Sequence, residues 1–159
     1  MITKRGFKMS NLIISQFNTT HSAFMNEIKD VSKEQLDIQP EGFNNNIHWH
    51  IGHVLTVNEQ FLFGFPDNSE HLPERYKELF GNGSEPADWP EDVPSADELA
   101  EQLTSQLKRI KSIPAEKFDE KLPEAVMGAQ TFGELAALAA FHEGNHTGRV
   151  NAMKKVLNK

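Results

Sequence analysis

Apolar residues return at helical spacing in four long stretches of this chain, and nowhere do they alternate with polar residues for the length of a strand. Helices must therefore supply the packing surfaces. From about residue 11 to 30, Ile14, Phe17, Phe24 and Ile28 share one stripe, into which His21 also falls. Pro40 through Asn46 carry the Pro, Gly and Asn of a loop, and a second helix is expected from about Ile47 to Phe63. Ser95-Ala-Asp-Glu98 reads as a capping box opening a third helix, with Leu99, Leu103, Leu107 and Ile110 on one face and Pro114 as its stop. Thr131-Phe-Gly-Glu134 is another capping box, and after it Leu135, Leu138, His142, His146 and Met153 form a broad stripe reaching towards Val156.

Four long helices in 159 residues make an all-α four-helix bundle the expected fold, with one domain over residues 1–159. Gly64 to Pro94 holds five of the eight prolines, with a short helix expected from Glu74 to Phe80. A crossover of that length can travel back along the second helix, so helices 2 and 3 are expected to run parallel, in the order up-down-down-up. A short helical turn is expected after Ser32-Lys-Glu-Gln35, a further capping box.

The formal charge of -7, from 16 basic and 23 acidic residues, argues against nucleic acid and against anionic membrane surfaces as partners. No cysteine is present, which excludes disulfides, a thiolate nucleophile and cysteine-ligated zinc. Lys4, Arg5 and Lys8 precede Leu12-Ile13-Ile14, but Ser15, Gln16 and Asn18 cut that apolar run too short for a signal peptide. With no membrane-length apolar segment either, a cytoplasmic protein is the expectation.

His142-Glu-Gly-Asn-His146 sets two imidazoles on adjacent turns of one helix face, the spacing at which a pair can grip one metal ion. The string also spells H-E-x-x-H, the zinc-protease signature. A protease is not the reading here, because the tail after His146 contains no His, Asp, Glu or Cys to complete the site. The third ligand must come from upstream, where Asn46-Ile-His-Trp-His-Ile-Gly-His53 places three of the seven histidines within six residues. On a helical wheel His50 lies amid Val54, Val57 and Phe61, and His53 about 60 degrees away beside Trp49, so spacing leaves the choice between them open.

These segments resemble the DinB/YfiT-like family of small metal-binding helical bundles. The resemblance rests on Asn46-Ile47-His48-Trp49 with His53 at the start of the second helix, on His142 and His146 in the last, and on Gly148 after them. It implies His53, His142 and His146 as ligands of a divalent metal, zinc or nickel, and a homodimer. His48 and His50 depart from the apolar filling usual at that turn. The resemblance further implies a metal-dependent hydrolase, or an S-transferase using an external low-molecular-weight thiol, acting on a small-molecule substrate. Three neutral imidazoles leave the ion its full charge, which can lower the pKa of bound water or hold an incoming thiol as thiolate. The competing reading is a non-catalytic metal-binding bundle that acts through association.

Around this centre, His21 is expected to be a hydrogen-bonded core histidine, with a place lining the site as the alternative. Glu143 is either a base acting on metal-bound water or, being about 100 degrees round the helix from His142, a surface or helix-to-helix carboxylate. Arg149 returns to the histidine face and either anchors a substrate carboxylate or forms a structural ion pair. Trp49, Phe61, Phe63, Phe65, Phe17 and Phe24 are expected in the core, and Trp89 over the bundle end or the pocket mouth.

Overall fold

The computed structural model describes residues 8–159, and Lys4 and Arg5 of the N-terminal reading lie outside them. The described chain is mostly helical. Helix α1 spans Met9–Ile28, α2 Lys33–Leu36, α3 Ile47–Phe63, α4 Tyr76–Phe80, α5 Ala96–Lys111 and α6 Phe132–Leu157. Helix α6 lies against α1 and α3, and α5 lies against α3 and α1.

The helix starts follow their capping residues. Asn46 accepts from the Trp49 N–H at 2.8 Å, which fixes the first turn of α3 and with it the position of three histidines. Ser32 with Gln35, and Thr131 with Glu134, form reciprocal capping boxes, while Ser95 accepts from the Glu98 N–H. Gly64, at φ 70°, ends α3 in the left-handed conformation.

The chain also forms a small antiparallel hairpin, β1 Lys121–Val126 and β2 Ala129–Thr131, in a stretch that carries no strand pattern. Its turn is the pair Met127 and Gly128, both at positive φ, as a two-residue turn matched to strand twist requires. Met-Gly is not one of the dipeptides that announce such a turn, and Pro123 weakens the first strand as a pattern. The remaining differences are of helix ends: α4 begins at Tyr76 and α5 stops at Lys111, capped by Ser112 before Pro114 is reached.

Helix α3 is the centre of the molecule, since every residue from Ile47 to Glu59 is buried. Gly52 belongs to this stretch for a steric reason: a Cβ there would meet the Phe80 ring at 2.3 Å. Helix α4 can rest on α3 only because that side chain is missing. On another side of α3, Glu59 is fully buried and receives both terminal nitrogens of Arg109, at 2.9 and 3.0 Å, as well as Gln106 Nε2 at 2.8 Å and the Ser69 hydroxyl. Burial alone would push the Glu59 carboxyl up, but these donors outweigh it and hold the group below the usual carboxylate range. Arg109 also stacks on Phe63, 3.9 Å from the ring centroid.

Two stability measurements check these contacts. Gly52→Ala is expected to lower the urea midpoint by an amount equivalent to about 1–3 kcal/mol, the range for overpacking a closed contact. Arg109→Met, which strands a buried carboxylate, is expected to cost about 3 kcal/mol or more. An Arg109→Met midpoint equal to wild type would mean that Glu59 is held by its other donors.

Candidate metal centre

His53, on the second turn of α3, stacks on Trp49 with ring centroids 4.3 Å apart and planes 14° from parallel. Its Nδ1 lies 2.7 Å from the Phe80 carbonyl oxygen. A carbonyl only accepts, so Nδ1 carries the hydrogen and Nε2 presents its lone pair. That lone pair points at α6, where His142 Nε2 lies 3.1 Å away, and His146 Nε2 lies 3.0 Å from His142 Nε2. His53 brings no hydrogen to this triangle, so an N–H in either close pair must come from His142 or His146.

Ligand atoms of His53, His142 and His146 lie within 4.8 Å of one another. Two of the separations are close to the spacing of about 3.3 Å between nitrogens at the corners of a tetrahedron around zinc. The surroundings fit the same ion: a backbone carbonyl behind His53 is the partner that a metal-bound histidine usually has. Behind His146 stands His50, with the two Nδ1 atoms 2.7 Å apart, so one of them donates to the other. Behind His142 there is no partner, and its buried Nδ1 is unsatisfied among the described residues.

The triangle opens into a cavity of about 740 Å³. Trp49, Phe61, Leu138 and Phe141 give it apolar walls, Asn44, Asn45, Gln60 and Asn145 supply amides, and Arg149 a charge.

Residues 16–150 match the DinB superfamily, which covers most of the sequence. The chain belongs to that superfamily. No curated protein matches it. A crystal structure of a conserved protein from Enterococcus faecalis matches with a TM-score of 0.68 over 97% of this chain and 100% of that one. At 15% identity that likeness speaks for the fold alone.

Within this DinB-superfamily chain the histidines near the triangle divide by contact. His50 touches the triangle only from behind, through His146 Nδ1, while His48 is buried elsewhere, between Asp37 Oδ1 and the Pro94 carbonyl at 2.7 Å each. The wheel could not separate His50 from His53 because this part of α3 is buried all round, at 3% and 5% exposure for the two residues. His21 is buried on α1, with Nδ1 3.4 Å from Glu143 Oε1. Glu143 is no surface carboxylate: it is 1% exposed, accepts from Asn58 Nδ2 at 3.0 Å, and is not part of the cavity wall. The helix-to-helix contact is therefore what the structure places there, joining α6 to α3 and α1.

Arg149 is exposed on the cavity wall, and among the described residues it makes no ion pair. Of the aromatic residues expected in the core, Phe17, Phe24, Trp49 and Phe65 are buried, but Phe61 is half-buried on the cavity and Phe63 half-buried under Arg109. Trp89 packs its edge on His48 and Phe80 and donates to the Leu79 carbonyl, away from the cavity wall. Two parts of the site had no signal in the sequence: the Phe80 carbonyl, which is backbone, and Met127, which reaches the cavity through the hairpin.

Burial, reinforced by the charges of neighbouring imidazoles and of Arg149, keeps the cluster neutral. His50 is pushed down to about 3, His142 to about 4 and His146 to about 2; His53 moves the same way under burial, although its bond to Phe80 opposes the shift. Neutral imidazole is the form that binds a metal. In the unfolded chain these groups take up protons near their ordinary value of about 6.5, so the unfolded state binds more protons and stability falls as pH drops below that value. The urea midpoint of the metal-free protein is accordingly expected to fall between about pH 7 and about pH 5, and to fall less in a His142→Gln variant. A midpoint that rose on acidification would mean the cluster is charged in the folded protein.

Proposed function

We propose that this chain is a metal-dependent enzyme in which His53, His142 and His146 bind one divalent ion, zinc or nickel, beside a cavity for a small-molecule substrate. The observation that carries the reading is the convergence of three Nε2 atoms at the floor of that cavity. A purely structural ion would be closed off by a fourth protein ligand, whereas a catalytic site keeps one position open. No fourth His, Asp or Glu joins this cluster among the described residues.

When bound, the ion supplies Lewis acidity at that open position. The chain's own residues do the rest. Phe80 and Trp49 orient His53, His50 orients His146, and the apolar walls restrict water near the imidazoles. The reaction we infer is thiol-dependent S-transfer or hydrolysis, with any thiol external because the chain has no cysteine.

The four long helices are read as one up-down-down-up bundle, supported by the packing of α6 on α1 and α3 and of α5 on α3 and α1. A cytoplasmic homodimer completes the proposal. Among the described residues no helix is long and apolar enough to cross a membrane.

Elemental analysis of protein prepared without an affinity tag tests the centre. About one equivalent of metal is expected in wild type and in His50→Ala, with binding lost in His53→Ala and in His142→Ala. Absence of metal from every sample, even after incubation with zinc and nickel, would end the metalloenzyme reading.

A further inference from the structure

The wall of the cavity carries a positive charge that has no ion-pair partner among the described residues. Arg149 stands seven residues after His142 and three after His146, so it sits on the same face of α6, about 5 Å along the axis from His146. Its Nε donates to Asn145 Oδ1 at 3.0 Å, which tethers the guanidinium by its inner edge. Its two terminal nitrogens have no hydrogen-bond partner among the described residues. Among the described residues Glu85 is the one carboxylate on the cavity wall, and it makes no ion pair with Arg149.

The guanidinium beside the three imidazoles is left without a carboxylate partner among the described residues. With a divalent ion on the histidines the local charge would rise further, with no anionic ligand to offset it. An anion between Arg149 and the histidines would answer both charges. The rest of the wall limits what that anion can be. Phe61, Leu138, Phe141 and Met127 offer an apolar surface, with Phe141 and Met127 largely exposed at the mouth, 69% and 76%. Asn45 adds a buried side-chain oxygen that has no donor among the described residues.

We infer that the cavity binds a small carboxylic acid with an apolar body, its carboxylate on the free fork of Arg149 and its body against Phe61, Leu138, Phe141 and Met127. A planar monoanion matches a single guanidinium, which offers two parallel N–H groups at carboxylate spacing. This names the substrate class for the site proposed above. The orientation of the ligand's other end towards the histidines rests on the metal reading, but the carboxylate subsite on Arg149 does not.

Phenylacetate and its neutral isostere phenylacetamide are the probes, titrated by calorimetry into metal-free and zinc-loaded wild type, Arg149→Gln and Arg149→Lys. Phenylacetate is expected to bind wild type at least about tenfold more tightly than phenylacetamide does, and to lose about as much in Arg149→Gln, with Arg149→Lys between the two. That pattern in the metal-free protein upholds the subsite even if no metal reading survives. Equal binding of acid and amide, or phenylacetate binding unaffected by Arg149→Gln, overturns it. Binding that needs zinc and His53 but is indifferent to residue 149 overturns it too, while leaving the metal centre in place. No phenylacetate binding to any form counts against the subsite, and the metal content measured separately then judges the centre alone.

Discussion

Burying an imidazole without a partner for each nitrogen is costly, and this molecule buries His50, His53 and His146 in one cluster with His142 half-buried beside them. The bond from His53 Nδ1 to the Phe80 carbonyl decides how that cost is met. It assigns the hydrogen on His53, so the opposite nitrogen must face α6 as a lone pair, and the two histidines of α6 close on it. The carbonyl can be there only because α4 lies directly on α3, and α4 can lie there only because residue 52 has no side chain. One missing methyl group, a single turn of helix and a backbone oxygen together set the direction of a ring.

Charged and polar groups are buried on other sides of α3 as well, and each is tied to a different helix. Glu59 draws in α5 through Arg109 and Gln106, and Asn58 reaches α6 through Glu143, which also touches His21 on α1. Such contacts are directional, where apolar packing is not. A helix that rotated a few tens of degrees would keep most of its hydrophobic burial and lose these bonds, so they select the rotation at which the histidines meet.

Much of the fold was legible because helices write themselves locally. The stripes of α1 and α5, and the caps at Ser32, Ser95 and Thr131, are decided by neighbours three and four residues away, and the structure has them within a residue or two. The His142 and His146 pair was legible for the same reason. What periodicity could not give is what depends on other parts of the chain. Helix α3 is buried all round and so offers no polar face to read the histidines against; Glu59 looks like a surface residue until Arg109 is seen beside it. The hairpin was missed because its turn relies on backbone conformation at Met127, for which residue type gives no cue.

That hairpin has a bearing on how the entrance can change. Met127 holds a positive φ that a side chain rarely adopts, yet the turn stands in open space: a Cβ on Gly128 would touch nothing within 4 Å. The floor of the cavity is welded to the most crowded helix in the protein, while part of its rim is carried on a loop with room around it. The rim of the cavity and the geometry at the histidines are thus encoded in separate pieces of chain. Lengthening, shortening or recolouring the turn would reshape that rim without disturbing the rings at the cavity floor.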